Sequence, residues 1–396
     1  MKISTRPLKL LPLLLVLGLA AAVWYWRRME RAIGVTMLLV AAYIGWLVLE
    51  SYATHGQWMA HMHVFSKVIT LFVVYGTYGY YYRRGLPPFG VLAGIMYAML
   101  FLNLLLVHPE ALSLQAFLDT ERGFSAGAAL MLVLPTLLCL NWYLQRGNLL
   151  LLGLFFVSLA LIVFLQHRSV WLTMLVALPL NVLLLWWRVP SARFSPQRLV
   201  LLVVLPVALA GVGGLATILQ NPAITKKFVG NYEDITHADK QGTGNWRFQQ
   251  MQAYAPLVAE RPLLGWRQEG FDLPMQFFDP ASDQPMWPDG TGHHFHSFYM
   301  DRLFYFGWLG LLLVVVLPFA QVIRRLAHPA PLTAESAALV GLAAGCIVFG
   351  LSYDWPTYIY AFQGLMLATM ALPAPVAAPQ PTAQRRPLAA QPVFAT

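Results

Sequence analysis

Apolar runs of close to twenty residues recur along the chain, divided by small clusters of Arg and Lys, until a polar stretch from 220 to 297 interrupts them. The runs fall at 10–26, 32–49, 63–82, 87–107, 124–143, 148–165, 169–187, 198–219, 298–322, 335–353 and 356–373. Each is long enough to cross a bilayer as a helix. Inside lipid, backbone polar groups must be satisfied within helices or a closed barrel, and these runs are too long and too continuously apolar for barrel strands. The pattern predicts an all-α chain, a polytopic transmembrane helical bundle of about 11–12 helices with one large loop domain. Four regions follow: transmembrane helices over 1–219, a loop domain over 220–297, further transmembrane helices over 298–373, and a Pro- and Ala-rich tail over 374–396 that reads as disordered.

The loop domain is too long for a bare connection and should carry structure of its own. Asn245 to Glu260 reads as a helix, with Trp246, Met251, Tyr254, Leu257 and Val258 spaced for a buried stripe. Pro262 and Gly265 predict a turn at 261–265, residues 272–292 read as loop, and a new helix starts near Ser297, which can cap it.

Composition supports the membrane reading. The chain is 58% hydrophobic and 11% charged, too little charge to cover a soluble domain. Its net charge of +9 is scattered in clusters between the apolar runs, which excludes a nucleic-acid-binding surface and fits the positive-inside rule. Arg83 with Arg84, Arg146, Arg188 with Arg193 and Arg198, and Arg324 with Arg325 then mark the cytoplasmic side. Loops 50–62, 108–123 and 220–297 fall on the other side by alternation. Lys2, Arg6 and Lys9 land outside, against the rule, which leaves the amino-terminal topology open. Leu10 to Trp26 lacks a cleavage site and is read as a retained helix. Cys139 and Cys346 lie within apolar runs and form neither a disulfide framework nor a metal spacing.

Three residues stand out for chemistry. Arg168, between two apolar runs, is a cation near membrane depth that calls for an anion. Arg247, near the start of the loop domain's helix, suits bidentate phosphate contact. His296, where the loop domain meets a membrane helix, can take a proton from a hydroxyl at neutral pH. A rival reading gives His293, His294, His296 and Asp289 to zinc, although no recognisable ligand spacing supports it. Glu260, Glu269 and Asp301 read as solvated or capping groups, with Asp301 and Arg302 pairing with each other. Gly307 and Gly310 suggest close helix packing. The chain shows no paired halves of the kind that transporters carry.

These pieces, in this order, resemble the O-antigen ligase and polymerase superfamily of bacterial membrane glycosyltransferases. The ligase pattern is His, then Asn, Ser or Gln, nine residues, Gly, two residues, and Gly, Thr or Tyr. Here His296-Ser297, Phe298 to Phe306, Gly307, Trp308-Leu309 and Gly310 match it throughout. Asn245-Trp246-Arg247 and Arg261-Pro262-Leu263-Leu264-Gly265 are typical of the family's long periplasmic loop, and Arg168 sits where the family has an Arg at the outer mouth of a helix pair. The eleven spans depart from the twelve expected of ligases.

The resemblance implies a metal-independent, cofactor-free, inverting transfer in the bacterial inner membrane, with the active site facing the periplasm. The donor would be a glycan on undecaprenyl pyrophosphate and the acceptor a hydroxyl of lipid A–core. A second lipid-linked glycan would be the acceptor if the chain is a polymerase, and a protein glycosyltransferase is a third option. His296, Arg247 and Arg168 would be catalytic, with Arg168, Arg247 and Ser297 contacting substrate among surrounding membrane lipids.

Overall fold

The computed structural model describes residues 10–119, 125–209, 222–236, 242–269 and 295–371. Among these residues the fold is all-α and polytopic. The helices are α1 (Leu10–Tyr25), α2 (Arg31–His55), α3 (Met62–Ile69), α4 (Leu71–Tyr81) and α5 (Phe89–Leu102). There follow α6 (Leu114–Asp119), α7 (Ala126–Leu130), α8 (Val133–Arg146), α9 (Leu149–Phe164), α10 (Arg168–Arg188) and α11 (Pro196–Leu209). The polar stretch supplies α12 (Pro222–Thr236) and α13 (Gly242–Glu260). The last four are α14 (Phe298–Leu311), α15 (Leu317–Ala327), α16 (Ala334–Phe349) and α17 (Thr357–Met370).

Among the described residues, five segments are individually long and apolar enough to cross a membrane: Arg31–His55, Phe89–Val107, Ala126–Arg146, Arg168–Arg188 and Phe298–Ala327. Ala126–Arg146 is the central one and is buried along most of its length. The others bury one stripe and expose Leu, Val and Trp side chains such as Leu38, Leu106, Leu175 and Trp186, as lipid-facing helices do. At the centre, the Asn141 and Asn181 side-chain amides bond each other reciprocally at 3.0 and 2.7 Å, and Asn141 also donates to the Ala334 carbonyl at 2.7 Å. These fully buried amides are satisfied only by one another and by backbone, so they fix the register of α8, α10 and α16.

Three predicted spans are interrupted. The 63–82 run bends at Thr70, whose hydroxyl bonds back to the Ser66 carbonyl at 2.6 Å. The 124–143 run divides between α7 and α8. The 298–322 run breaks at Gly307, which has φ 59° and ψ −158°. The α2 helix runs on to His55, into the region read as loop, and α12 was not anticipated. Part of the 198–219 span, the 272–292 loop with Asp289, His293 and His294, the tail from 374, and Lys2, Arg6 and Lys9 lie outside the described residues.

Candidate active site

The predicted turn after Glu260 forms as expected, with the Gly265 amide bonded to the Arg261 carbonyl at 3.0 Å. Its role is larger than a turn. Breaking α14 at Gly307 releases backbone groups that a continuous helix would pair internally, and they need partners. The turn provides them. Trp266 and Arg267 donate to the Phe304 and Tyr305 carbonyls at 2.9 and 3.0 Å, and Trp308 and Leu309 donate to the Pro262 and Leu263 carbonyls at 2.8 and 3.1 Å.

Two glycines permit this approach. A Cβ on Gly265 would lie 2.5 Å from the Phe306 nitrogen, and one on Gly307 would lie 2.4 Å from the Leu263 carbonyl carbon. Both have positive φ. The expectation that Gly307 serves helix–helix packing is therefore corrected: it breaks the helix so that the polar domain can be sewn to it. The 261–265 turn and the Gly307 position, which looked like two separate motifs, are two halves of one clasp.

Ion pairs fix the clasp further. Arg267 aims its Nε at both Glu50 carboxylate oxygens at 2.9 Å, and Arg261 bonds Glu269 at 2.6 Å. Glu269 is thus paired, not merely solvated. The clasp leads directly back into α13, which packs Tyr254 edge-on against Phe295 and Phe304 with ring centroids 4.9 and 5.7 Å apart. Burial pushes the Tyr254 phenol far above its ordinary range. The predicted stripe is only partly right: Tyr254 is buried and Leu257 and Val258 pack, but Met251 is exposed and Gln250 takes the inward position. The Trp246 side chain lies outside the description.

His296 and Arg247 come together on a residue the sequence reading missed, Tyr353. The His296 ring lies 6.3 Å from the Tyr353 ring centroid, and the Arg247 guanidinium carbon lies 4.8 Å from it. Both site residues are half-buried. Arg247 stands in the second turn of α13, not on its first amides, because the helix begins at Gly242. The position at a helix start belongs instead to Arg168, the first residue of α10. In the antiparallel pair of α10 and α16, Gly341 lies against Ala177 and Asn181, and Gly345 against Thr173 and Ala177. That register carries the end of α16 to the first turn of α10. Tyr353 stacks on Phe349, the last residue of α16, with centroids 5.3 Å apart. Arg168 therefore lies at the end of the bundle that holds Tyr353, Arg247 and His296.

Ser297 caps α14: its hydroxyl accepts from the Met300 amide at 3.4 Å and donates to the Gly350 carbonyl at 3.2 Å. The Phe298 amide bonds the same carbonyl at 2.9 Å, and the Phe298 ring stacks on Trp355 at 4.0 Å. His296 is thus joined on its carboxyl side to a helix start that is clamped onto the 350–356 connection.

Beneath it lies an ionic quartet, buried except for Asp354, whose side chain is 42% exposed. Lys67 donates to Asp301 at 2.5 Å, Arg302 pairs with Asp301 and reaches Asp354 at 3.2 Å, and Arg302 also bonds the Tyr360 hydroxyl at 3.0 Å. Asp301 and Arg302 are 1% and 2% exposed, so charges this deep require mutual compensation, and two cations facing two anions supply it. Asp301 also accepts from the Phe295 amide at 3.4 Å, one residue before His296. The expected pairing of Asp301 with Arg302 holds, but as half of a larger network that also positions the histidine. One signal pointed to it: Lys67 is a cation within an apolar run, where a partner is obligatory.

Residues 153–315 match a family model described as O-antigen ligase. That segment contains Arg168, Arg247, His296, Gly307 and Gly310, so the clasp and all three candidate side chains fall inside it. None of the curated proteins compared with the chain matches it significantly.

Proposed function

On the match of residues 153–315 to the O-antigen ligase family, which supports a membrane glycosyltransferase of that superfamily, we propose that the protein transfers a glycan from undecaprenyl pyrophosphate to a hydroxyl of lipid A–core. The transfer takes place at the periplasmic face of the bacterial inner membrane. The observation that carries this reading is the meeting of Arg247 and His296 on one aromatic ring, at the end of the bundle where Arg168 opens α10.

The chemistry suits these groups. The donor has a good leaving group, so no nucleotide is required. His296 takes the proton of the acceptor hydroxyl as its oxygen attacks the anomeric carbon. The bond from that carbon to the pyrophosphate oxygen breaks, and undecaprenyl pyrophosphate departs with the electron pair. Attack from the opposite face inverts the anomeric centre. Arg168 and Arg247 hold the pyrophosphate and offset the charge that grows on it. The start of α10 adds its dipole to Arg168. Ser297, with its hydroxyl committed to the cap and to Gly350, serves the substrate by orienting His296. Neither a metal nor a cofactor has a role in this mechanism.

The test is transfer by purified protein from a defined lipid-linked donor to two acceptors, lipid A–core and a second lipid-linked glycan. Product on lipid A–core supports the ligase, and product on the second glycan alone assigns a polymerase. His296→Ala should abolish transfer while expression and thermal stability stay normal. Near-normal transfer by that variant removes His296 as the base.

A further inference from the structure

At the opposite end of the bundle a cavity of about 580 Å³ opens between the start of α2, the end of α4, the end of α15 and the end of α17. Arg188, the last residue of α10, donates to the Leu326 and His328 carbonyls beside it, and α10 runs 21 residues from Arg168, roughly 30 Å of helix, so this cavity is remote from His296 and plays no part in the transfer site. Arg83, Arg324, Arg325 and His328 line it, and Glu30 is the acid among its lining residues. The cations are not equivalent. Arg325 is committed to structure, donating to the Ala330 and Pro331 carbonyls at 3.2 and 3.1 Å. Arg324 meets Glu30 only at 3.7 Å, with the two side chains 67% and 41% exposed, a pair too open and too long to hold it firmly.

Arg83 has a left-handed backbone, φ 61°, a conformation that a residue with a Cβ rarely adopts. The turn that imposes it is closed by the Arg84 amide on the Tyr81 carbonyl at 3.1 Å, and the Arg83 guanidinium lies 5.0 Å from the Tyr82 ring centroid. The floor is of another kind: Ile33, Leu367 and Met370 continue the cavity into the apolar body of the bundle. Cations at the rim, with Tyr78, Tyr82 and hydrocarbon buried below, match a molecule that carries a phosphate at one end and acyl chains at the other. A soluble polyanion would leave the floor unfilled.

We propose that this cavity binds a phosphate group carried by an anionic phospholipid, with Arg83 and Arg324 as its ligands and the weak Glu30–Arg324 contact displaced on binding. By the positive-inside rule this is the cytoplasmic leaflet. The test uses the full chain in neutral detergent, with native mass spectrometry of retained phosphatidylglycerol against phosphatidylcholine. A parallel arm titrates inorganic phosphate into phosphatidylcholine nanodiscs and reads thermal stability.

Phosphatidylglycerol should be retained at least tenfold over phosphatidylcholine. Arg83→Gln with Arg324→Gln should erase that preference, while Glu30→Gln should strengthen it, which guards against a double variant that merely misfolds. A response to inorganic phosphate, lost in the double variant and without any lipid preference, supports the phosphate site and moves its source to the water phase. Equal retention of both lipids with no phosphate response, or a preference that survives the double substitution, overturns the proposal.

Discussion

The clasp between the 261–267 turn and the broken helix can be tested at a single atom. In Gly307→Ala the new Cβ would fall 2.4 Å from the Leu263 carbonyl carbon and 2.5 Å from the Pro262 and Leu263 oxygens. All three are backbone atoms held by their own hydrogen bonds, so no flexible side chain can yield. The backbone at φ 59°, ψ −158° is itself a region that glycine alone enters cheaply, and a side chain there costs of order 1–3 kcal/mol. If the turn moves away, the two hydrogen bonds from Trp308 and Leu309 go with it, each worth about 1 kcal/mol net and more where the groups are left dry. A loss of about 3 kcal/mol or more in docking follows, equivalent to roughly two orders of magnitude in the docked population. Because α13 leads into the turn, Arg247 is displaced too. The assay pairs glycan transfer with limited proteolysis after Arg267, the arginine of the turn that no proline follows. Gly307→Ala should lose about a hundredfold in transfer and become cleavable there. Gly153→Ala, with nothing within 4 Å of the added methyl, should do neither. Full transfer and full protease resistance in Gly307→Ala would refute the clasp.

Other consequences are equally direct. Arg247→Ala and Arg168→Ala should each reduce transfer about 10²–10³-fold, with Lys restoring only part of it; indifference of both donor affinity and rate would remove the pyrophosphate clamp. Lys67→Met leaves Asp301 short of a cation in a dry site and should cost about 3–5 kcal/mol, seen as a lower unfolding midpoint in detergent, and an unchanged midpoint would mean that the quartet tolerates imbalance. Transfer should be indifferent to EDTA, whereas activity abolished by chelation and restored by zinc would return the histidines around His296 to the metal reading.

The membrane spans were legible because lipid imposes a local rule: each crossing must satisfy its own backbone and present apolar side chains. Residues 148–165 and 169–187 obey it almost to the residue, appearing as α9 and α10, and 32–49 lies within the longer α2. The spacing from His296 to Gly307 and Gly310 was equally visible, as was the conspicuous Arg at 168 and at 247. What the sequence did not disclose was why the glycine is there. The reason lies 44 residues earlier, in the carbonyl of Leu263, and periodicity carries no information about a backbone pairing across that distance.

The same limit hid the quartet, since Lys67 and Asp301 are 234 positions apart, and it hid Tyr353, an ordinary aromatic until the fold sets Arg247 and His296 against it. Local chemistry decided the helical type and the approximate positions of the apolar runs, and which candidate side chains were available. Tertiary packing alone decided which charges compensate each other and which reactive groups meet, because these depend on contacts between helices that only the folded bundle brings together.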